Sequence, residues 1–177
     1  MSLVRAVANL ITTKLDIPCF GGDLANTDDE YPWIEVAEIE RETTPLGCGA
    51  EDYVAQDESG ARTAVKVLEH RTTVRLTVHA AGTSEASGGD IAIQTLGRIA
   101  GAFEDAKRGK EPVILTDPET DEDEHVTNLA YAGRTFLPPD SGGEPVVHKT
   151  AASYRFTHRT YRKRPVENRI GRVTVRA

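Results

Sequence analysis

The chain is poor in the residues that build staples and reactive sites. Only two of its 177 residues are cysteine, Cys19 and Cys48, which excludes a disulfide-stapled scaffold and a four-thiolate zinc centre. Its apolar runs are a few residues long, too short to cross a bilayer as a helix. The opening stretch MSLVRAVANLITTKLDIP places Lys14 and Asp16 too early for a signal-peptide core, and no small-residue cleavage site follows. These absences predict a soluble, unsecreted protein. Hydrophobic residues make up 38% and charged residues 28%, lean in apolar content but too rich for a disordered chain. The length fits a single domain over 1–177, enough to bury roughly 70% of its unfolded surface.

Reactive motifs are missing as well. There is no GxxxxGK[ST] for a phosphate-binding loop, no GxSxG and no HExxH. Of the glycine clusters, Gly88-Gly89 opens a helix and could hold an anion, but a capped helix behind a loop explains it as well. The histidines, His70, His79, His125, His148 and His158, show no i, i+3 or i, i+4 pair on a predicted helix. His79 and His158 fall on strands and are expected to be able to meet across the sheet, still two ligands short of a metal site. Cys19 and Cys48 flank one strand and read as small fillers. The acidic run Asp117 to Glu124 has calcium-loop composition without the spacing or the flanking helices. Asp105-Ala106-Lys107 resembles a nuclease acid-x-Lys element but lies on a helix. The expectation is a non-enzymatic protein without cofactor or metal.

Lysine is also scarce, six against fifteen arginines, and 28 acids outnumber both together. An acidic, Lys-poor chain suits a salty cytoplasm, where a Debye length of about 3 Å at 1 M salt screens its self-repulsion. The net charge of -7 is unevenly spread. Residues 155–177 carry Arg155, Arg159, Arg162, Lys163, Arg164, Arg169, Arg172 and Arg176 against Glu167 alone, a net of +7 that leaves -14 for the rest. Such a division gives the molecule two unlike faces, each suited to a partner or a second copy. Tyr154, Phe156 and Tyr161 interleave with these arginines, a pattern that fits either nucleic-acid binding or a half-buried strand whose aromatics face the core.

Periodicity supplies the elements. Leu3, Val7, Leu10, Ile11 and Leu15 predict a helix with Ser2 as N-cap and Pro18 as its stop. Residues 19–32 read as a loop, and Trp33 to Glu40 as a strand with a slip near Ala37. Thr43 to Gly49 is turn-rich. Thr63 to Ala80 predicts a long strand, with Val74, Leu76, Val78 and Ala80 alternating against Arg75, Thr77 and His79. Ala92, Leu96, Ile99, Phe103 and Ala106 define a second helix over Ile91 to Arg108, capped by Asp90 and stopped by Gly109. Further strands are expected at Val113–Leu115, Val126–Tyr131, Ser153–Tyr161 and Ile170–Arg176. Asp117 to Glu124 and Phe136 to Pro145 read as loops, the latter Pro/Gly-rich. This order predicts an α+β fold, a mainly antiparallel sheet with two amphipathic helices on one face.

The leading helix, the extended Tyr31-Pro32-Trp33-Ile34-Glu35-Val36, the long strand Arg71 to Ala80, the Gly-rich loop before the helix Ile91 to Arg108, and the closing Tyr154-Arg155-Phe156-Thr157-His158-Arg159 together resemble the tail terminator, or tail completion, proteins of long-tailed viruses. The resemblance covers most of the chain outside insertions near 117–124 and 138–145. It implies a homohexameric ring in the virion neck that caps the tail tube, docks onto the head connector and lets DNA pass through its lumen. The partners it implies are therefore other copies of the chain, the tail tube protein and the head connector protein, with no membrane involved. The salt signature would place the host among halophiles. The family has no catalytic residues to carry over. A head–tail adaptor or head-closure component shares the size and class, and a nucleic-acid-binding module built on the basic C-terminal segment is the alternative of a different kind. The expected contact residues are Arg155, Arg159, Arg162, Lys163, Arg164, Arg169 and Arg172.

Overall fold

The structure, a computed structural model, describes residues 3–21, 30–48, 52–56, 62–108, 113–116, 123–142 and 144–166. Within them the chain runs α1 (Leu3–Leu15), β1 (Cys19–Gly21), β2 (Trp33–Pro45), β3 (Tyr53–Gln56), β4 (Arg62–Ala81), α2 (Gly88–Lys107), β5 (Val113–Thr116), β6 (Asp123–Asp140) and β7 (Val147–Pro165). The strands form one seven-stranded sheet in the order β1-β2-β4-β7-β6-β5, with β3 continuing along the β2 side of β4. The pairing of β1 with β2 is parallel; the other pairings are antiparallel. The fold is α+β, as the element order predicts.

The long central pair β4–β7 sets the two faces. Val74 lies opposite Tyr154, Leu76 opposite Ala152 and Val78 opposite Thr150. Side chains alternate along a strand, so Val74, Leu76, Val78 and Ala80 point with Tyr154 and Phe156 into one core, where Ile34 and Val36 of β2 join them. Both helices pack on this face. Leu3, Val7 and Ile11 of α1 and Ala92, Leu96, Ile99 and Phe103 of α2 complete the core. Phe103 meets Tyr154 and Phe156 edge-on at centroid distances of 4.7 and 5.8 Å, a geometry that adds to area burial.

The helix ends are fixed by local chemistry. Asp16, at φ 54°, occupies the left-handed position after α1, and its N–H donates to the Thr12 carbonyl at 2.9 Å. The Arg98 guanidinium of α2 donates to the Leu15 carbonyl at 2.9 Å and so holds the two helices together. Ser87, not Asp90, is the N-cap of α2: its Oγ accepts from the Asp90 N–H at 3.1 Å and donates to Asp90 Oδ2 at 2.6 Å. Gly88 is required by close approach, because a Cβ there would lie 2.7 Å from both the Ala80 carbonyl oxygen and His148 Cδ2.

Several elements exceed their sequence-based bounds. Phe136 to Asp140, expected as loop, are strand. Pro138 and Pro139 are accommodated because β6 carries bulges at 126/128, 131/133 and 137/140 and has an outer edge. Gly133 sits in the middle bulge at φ 150°, a backbone conformation that favours glycine. Asp123 and Glu124, expected in the acidic loop, already pair with Thr116 and Leu115 of β5. Thr43–Pro45 extend β2, and Cys19–Gly21 and Tyr53–Gln56 form short strands within stretches not read as strand. The slip in β2 falls between Glu38 and Glu40, beside the expected Ala37. The strand expected over Ile170–Arg176 and most of the acidic run lie outside the described residues.

Candidate interaction surface

The basic C-terminal segment extends the sheet. Beyond Phe156, β7 runs on along β4 to the pair Thr63–Pro165, giving an arm past the helices. Along it Arg155, Arg159, Arg162, Lys163 and Arg164 are all exposed. Alternation divides them: Arg155, Arg159 and Lys163 share the helix-free side, while Arg162 and Arg164 share the parity of the core-facing residues. Arg169 and Arg172 lie outside the described residues.

Few carboxylates neutralise this arm. Glu69 serves both Arg159, at 3.5 Å, and Arg71, at 3.8 Å. Lys66 Nζ lies 2.9 Å from Asp52 Oδ1, and Asp52 Oδ2 also accepts from the Val67 N–H at 2.7 Å. That backbone bond, followed by the bond from Lys66, holds the Asp52 carboxyl below its usual range. Pairs this exposed contribute at most about 1 kcal/mol, so the arm keeps most of its positive field.

The helix-free face carries a second basic feature. Arg71 and Arg75 on β4 alternate diagonally with Arg155 and Arg159 on β7, because Thr73 faces Arg155, Arg71 faces Thr157, and Arg75 faces Ser153. The result is a zigzag of four arginines separated by small polar residues. The sequence analysis named the β7 members and missed Arg71 and Arg75. Their signal was present: both share the alternation parity of Thr77 and His79, opposite the apolar Val74 and Leu76.

The aromatics once considered as a stacking platform do not serve as one. Phe156 is fully buried and Tyr154 is 5% exposed; only Tyr161, at 49%, is open. Burial pushes the Tyr154 hydroxyl up to about 12.

The histidines are placed differently from expectation. His79 and His158 do not meet, because the β4–β7 register sets Lys149 opposite His79 and His70 opposite His158. His158 and His70 stack at 5.0 Å on the core-facing side, with His70 bonded to Thr43 Oγ1 at 2.9 Å and Thr160 Oγ1 at 2.7 Å, and His158 to Thr72 Oγ1 at 3.1 Å. His79 lies on the other face, stacked on Trp33 at 3.8 Å and 3.4 Å from Glu35 Oε2. Desolvation lowers its pKa, against the opposing pull of Glu35. Among the described residues, no three His, Cys, Asp or Glu side chains gather as a metal site. No helix there is long and apolar enough to cross a membrane. Cys19 is partly buried, which pushes its thiol up to about 12, and Cys48 is exposed.

The two long edges of the sheet differ. Among the described residues, β2 beyond Val36 has no partner on its outer side and presents Glu38, Glu40 and Glu42 around Arg41. On the opposite edge β5 pairs β6 only as far as Val126, leaving β6 from Thr127 to Asp140 with an unpartnered outer side among the described residues. There Tyr131 and Phe136 are 60% and 61% exposed, and the Arg134 guanidinium lies over the Phe136 ring at 4.9 Å. Inside this edge a groove of about 730 Å³ runs between β6 and α2, lined by Ile93, Gly97, Phe103, Leu129, Tyr131 and Tyr154 among others.

Comparison with protein-family models finds no match, and comparison with curated proteins finds no relative.

Proposed function

We propose that the chain is a structural virion protein, a tail terminator whose copies close into a ring that caps the tail tube and joins it to the head connector. The observation that carries this reading is the unlikeness of the two ends of one sheet. A basic arm and an acidic β2 edge lie on one molecule with an aromatic, apolar β6 edge. Surfaces that differ from each other suit head-to-tail contact, and head-to-tail contact generates rings when the rotation closes. Opposite charge orients such encounters and raises their rate.

The arginine zigzag of Arg71, Arg75, Arg155 and Arg159 adds support for DNA running past the helix-free face. Its arginines stand among Thr73, Ser153 and Thr157, a surface that attracts phosphate without reading bases. The nucleic-acid-binding module is the weaker reading, because Tyr154 and Phe156 are core residues and unavailable for stacking. A head–tail adaptor would use the same surfaces and differs only in its neighbours.

The test is genetic and visual. Disrupting the gene in its virus should yield tails of uncontrolled length detached from filled heads, and labelled copies should appear at the neck. Normal tails without the protein, or label in the shell or fibres, would reject the reading.

A further inference from the structure

We propose that residues 168–177 of one copy add as a strand to the open edge of β6 in the next copy, seating Val173 and Val175 in the groove between β6 and α2. The inference deepens the ring reading by naming the contact that joins the copies.

Three observations carry it. The first is the receptor. From Thr127 to Asp140 the outer side of β6 has no ladder partner among the described residues, and an unpaired edge is a template for an added strand. Tyr131 and Phe136 stand exposed on it, and the groove behind it has room: a Cβ placed on Gly97 or Gly101 of α2 would meet nothing within 4 Å. The second is the sequence of the occupant. In Asn168-Arg169-Ile170-Gly171-Arg172-Val173-Thr174-Val175-Arg176-Ala177, Gly171, Val173, Val175 and Ala177 share one parity, and Arg172, Thr174 and Arg176 the other. One face of such a strand suits an apolar groove and the other suits water or carboxylates. The arginines would pass Glu104 on the groove wall and the acid-rich stretch that leads into β6.

The third is reach. The groove begins level with the Leu129–Phe156 pair, nine residues back along β7 from Pro165, about 30 Å along the strand. Twelve residues follow Pro165. Reversing direction takes at least about two of them and crossing to the far side of β6 about three more, so the remainder returns only about 24 Å. The segment stops short of the groove in its own molecule, and the occupant comes from another copy.

Paired cysteines test this in the full-length chain. Cys48→Ser removes the exposed thiol, while Cys19 stays thiol by burial. One batch then carries Val175→Cys and a second Tyr131→Cys; they are mixed in molar salt under mild oxidation and the mixed disulfide is measured by mass spectrometry. The expected yield exceeds, by more than about tenfold, that with Arg75→Cys on the opposite face as acceptor. Filling the groove with Gly97→Phe in the Tyr131→Cys acceptor should return the yield to that baseline. Equal yield at both acceptors, no mixed disulfide, or an intrachain disulfide in a single chain carrying both cysteines would overturn the proposal. These outcomes do not depend on where the protein sits in a virus, so the contact and the terminator reading can fail separately.

Discussion

The helix-covered half of the sheet and the arm beyond it use the same two strands for different ends. Where α1 and α2 lie over β4 and β7, alternate residues are Val, Leu, Tyr and Phe, and their side chains vanish from solvent. Along the arm the same strands carry Lys66, Arg159, Arg162, Lys163 and Arg164. The first half gains its stability from burial, roughly 25 cal/mol per Å² of apolar surface. The second gains little from its own contacts and presents charge. A strand pair can thus hold a core at one end and a binding surface at the other, because side-chain period and ladder hydrogen bonding are independent of what the side chains are.

The largest expected effect comes from breaking the covered half. Phe156→Ala should lower the unfolding free energy by about 3–5 kcal/mol, measured by urea denaturation in molar salt, since Phe156 is fully buried against Phe103. A smaller loss, about 1–3 kcal/mol, is expected for Gly88→Val, which drives a side chain into the Ala80 carbonyl where α2 approaches β4.

A third prediction concerns pH. His79 has its pKa lowered by desolvation, with Glu35, Lys149 and Asp140 as its charged neighbours and Trp33 on its ring. The unfolded chain therefore takes up the proton first. The contribution of His79 to stability is complete above the ordinary value of 6.5 and is lost as pH falls through the lower folded value. Fluorescence of the single tryptophan should fall with a midpoint below 6.5, and His79→Phe should abolish that step. A midpoint at or above 6.5 would contradict the sign.

The smallest effect on stability is expected in the arm. Reversing Arg162 and Lys163 to Glu should change unfolding by no more than about 0.5 kcal/mol. The same change should weaken association between copies by more than about tenfold, read by sedimentation. An arm variant that destabilises as much as Phe156→Ala would erase the distinction between the two halves.

The sequence made the covered half legible and the arm only partly so. Alternation in Val74 to Ala80 and in Tyr154 to Arg159, and helical spacing from Ala92 to Phe103, identified core and class because burial imposes a strict period. The ends of the strands were not legible. Pro138 and Pro139 signal a loop locally, yet a bulged outer edge tolerates them. Tyr53–Gln56 is strand because β4 offers it a ladder, which no local signal announces. The histidine pairing failed for the same reason: His79 and His158 are both on strands, and only the long-range register puts Lys149 and His70 opposite them. The basic residues were found by count, whereas their division between the two faces, and the membership of Arg71 and Arg75, required the register.

Cryo-electron microscopy of intact virions is the most direct test of the assembly. The account predicts a closed ring of identical copies at the head–tail junction, each with its arginine-bearing C-terminus laid along the β6 edge of its neighbour. Copies that stand apart, or whose C-termini rest on their own carboxylates, would contradict it.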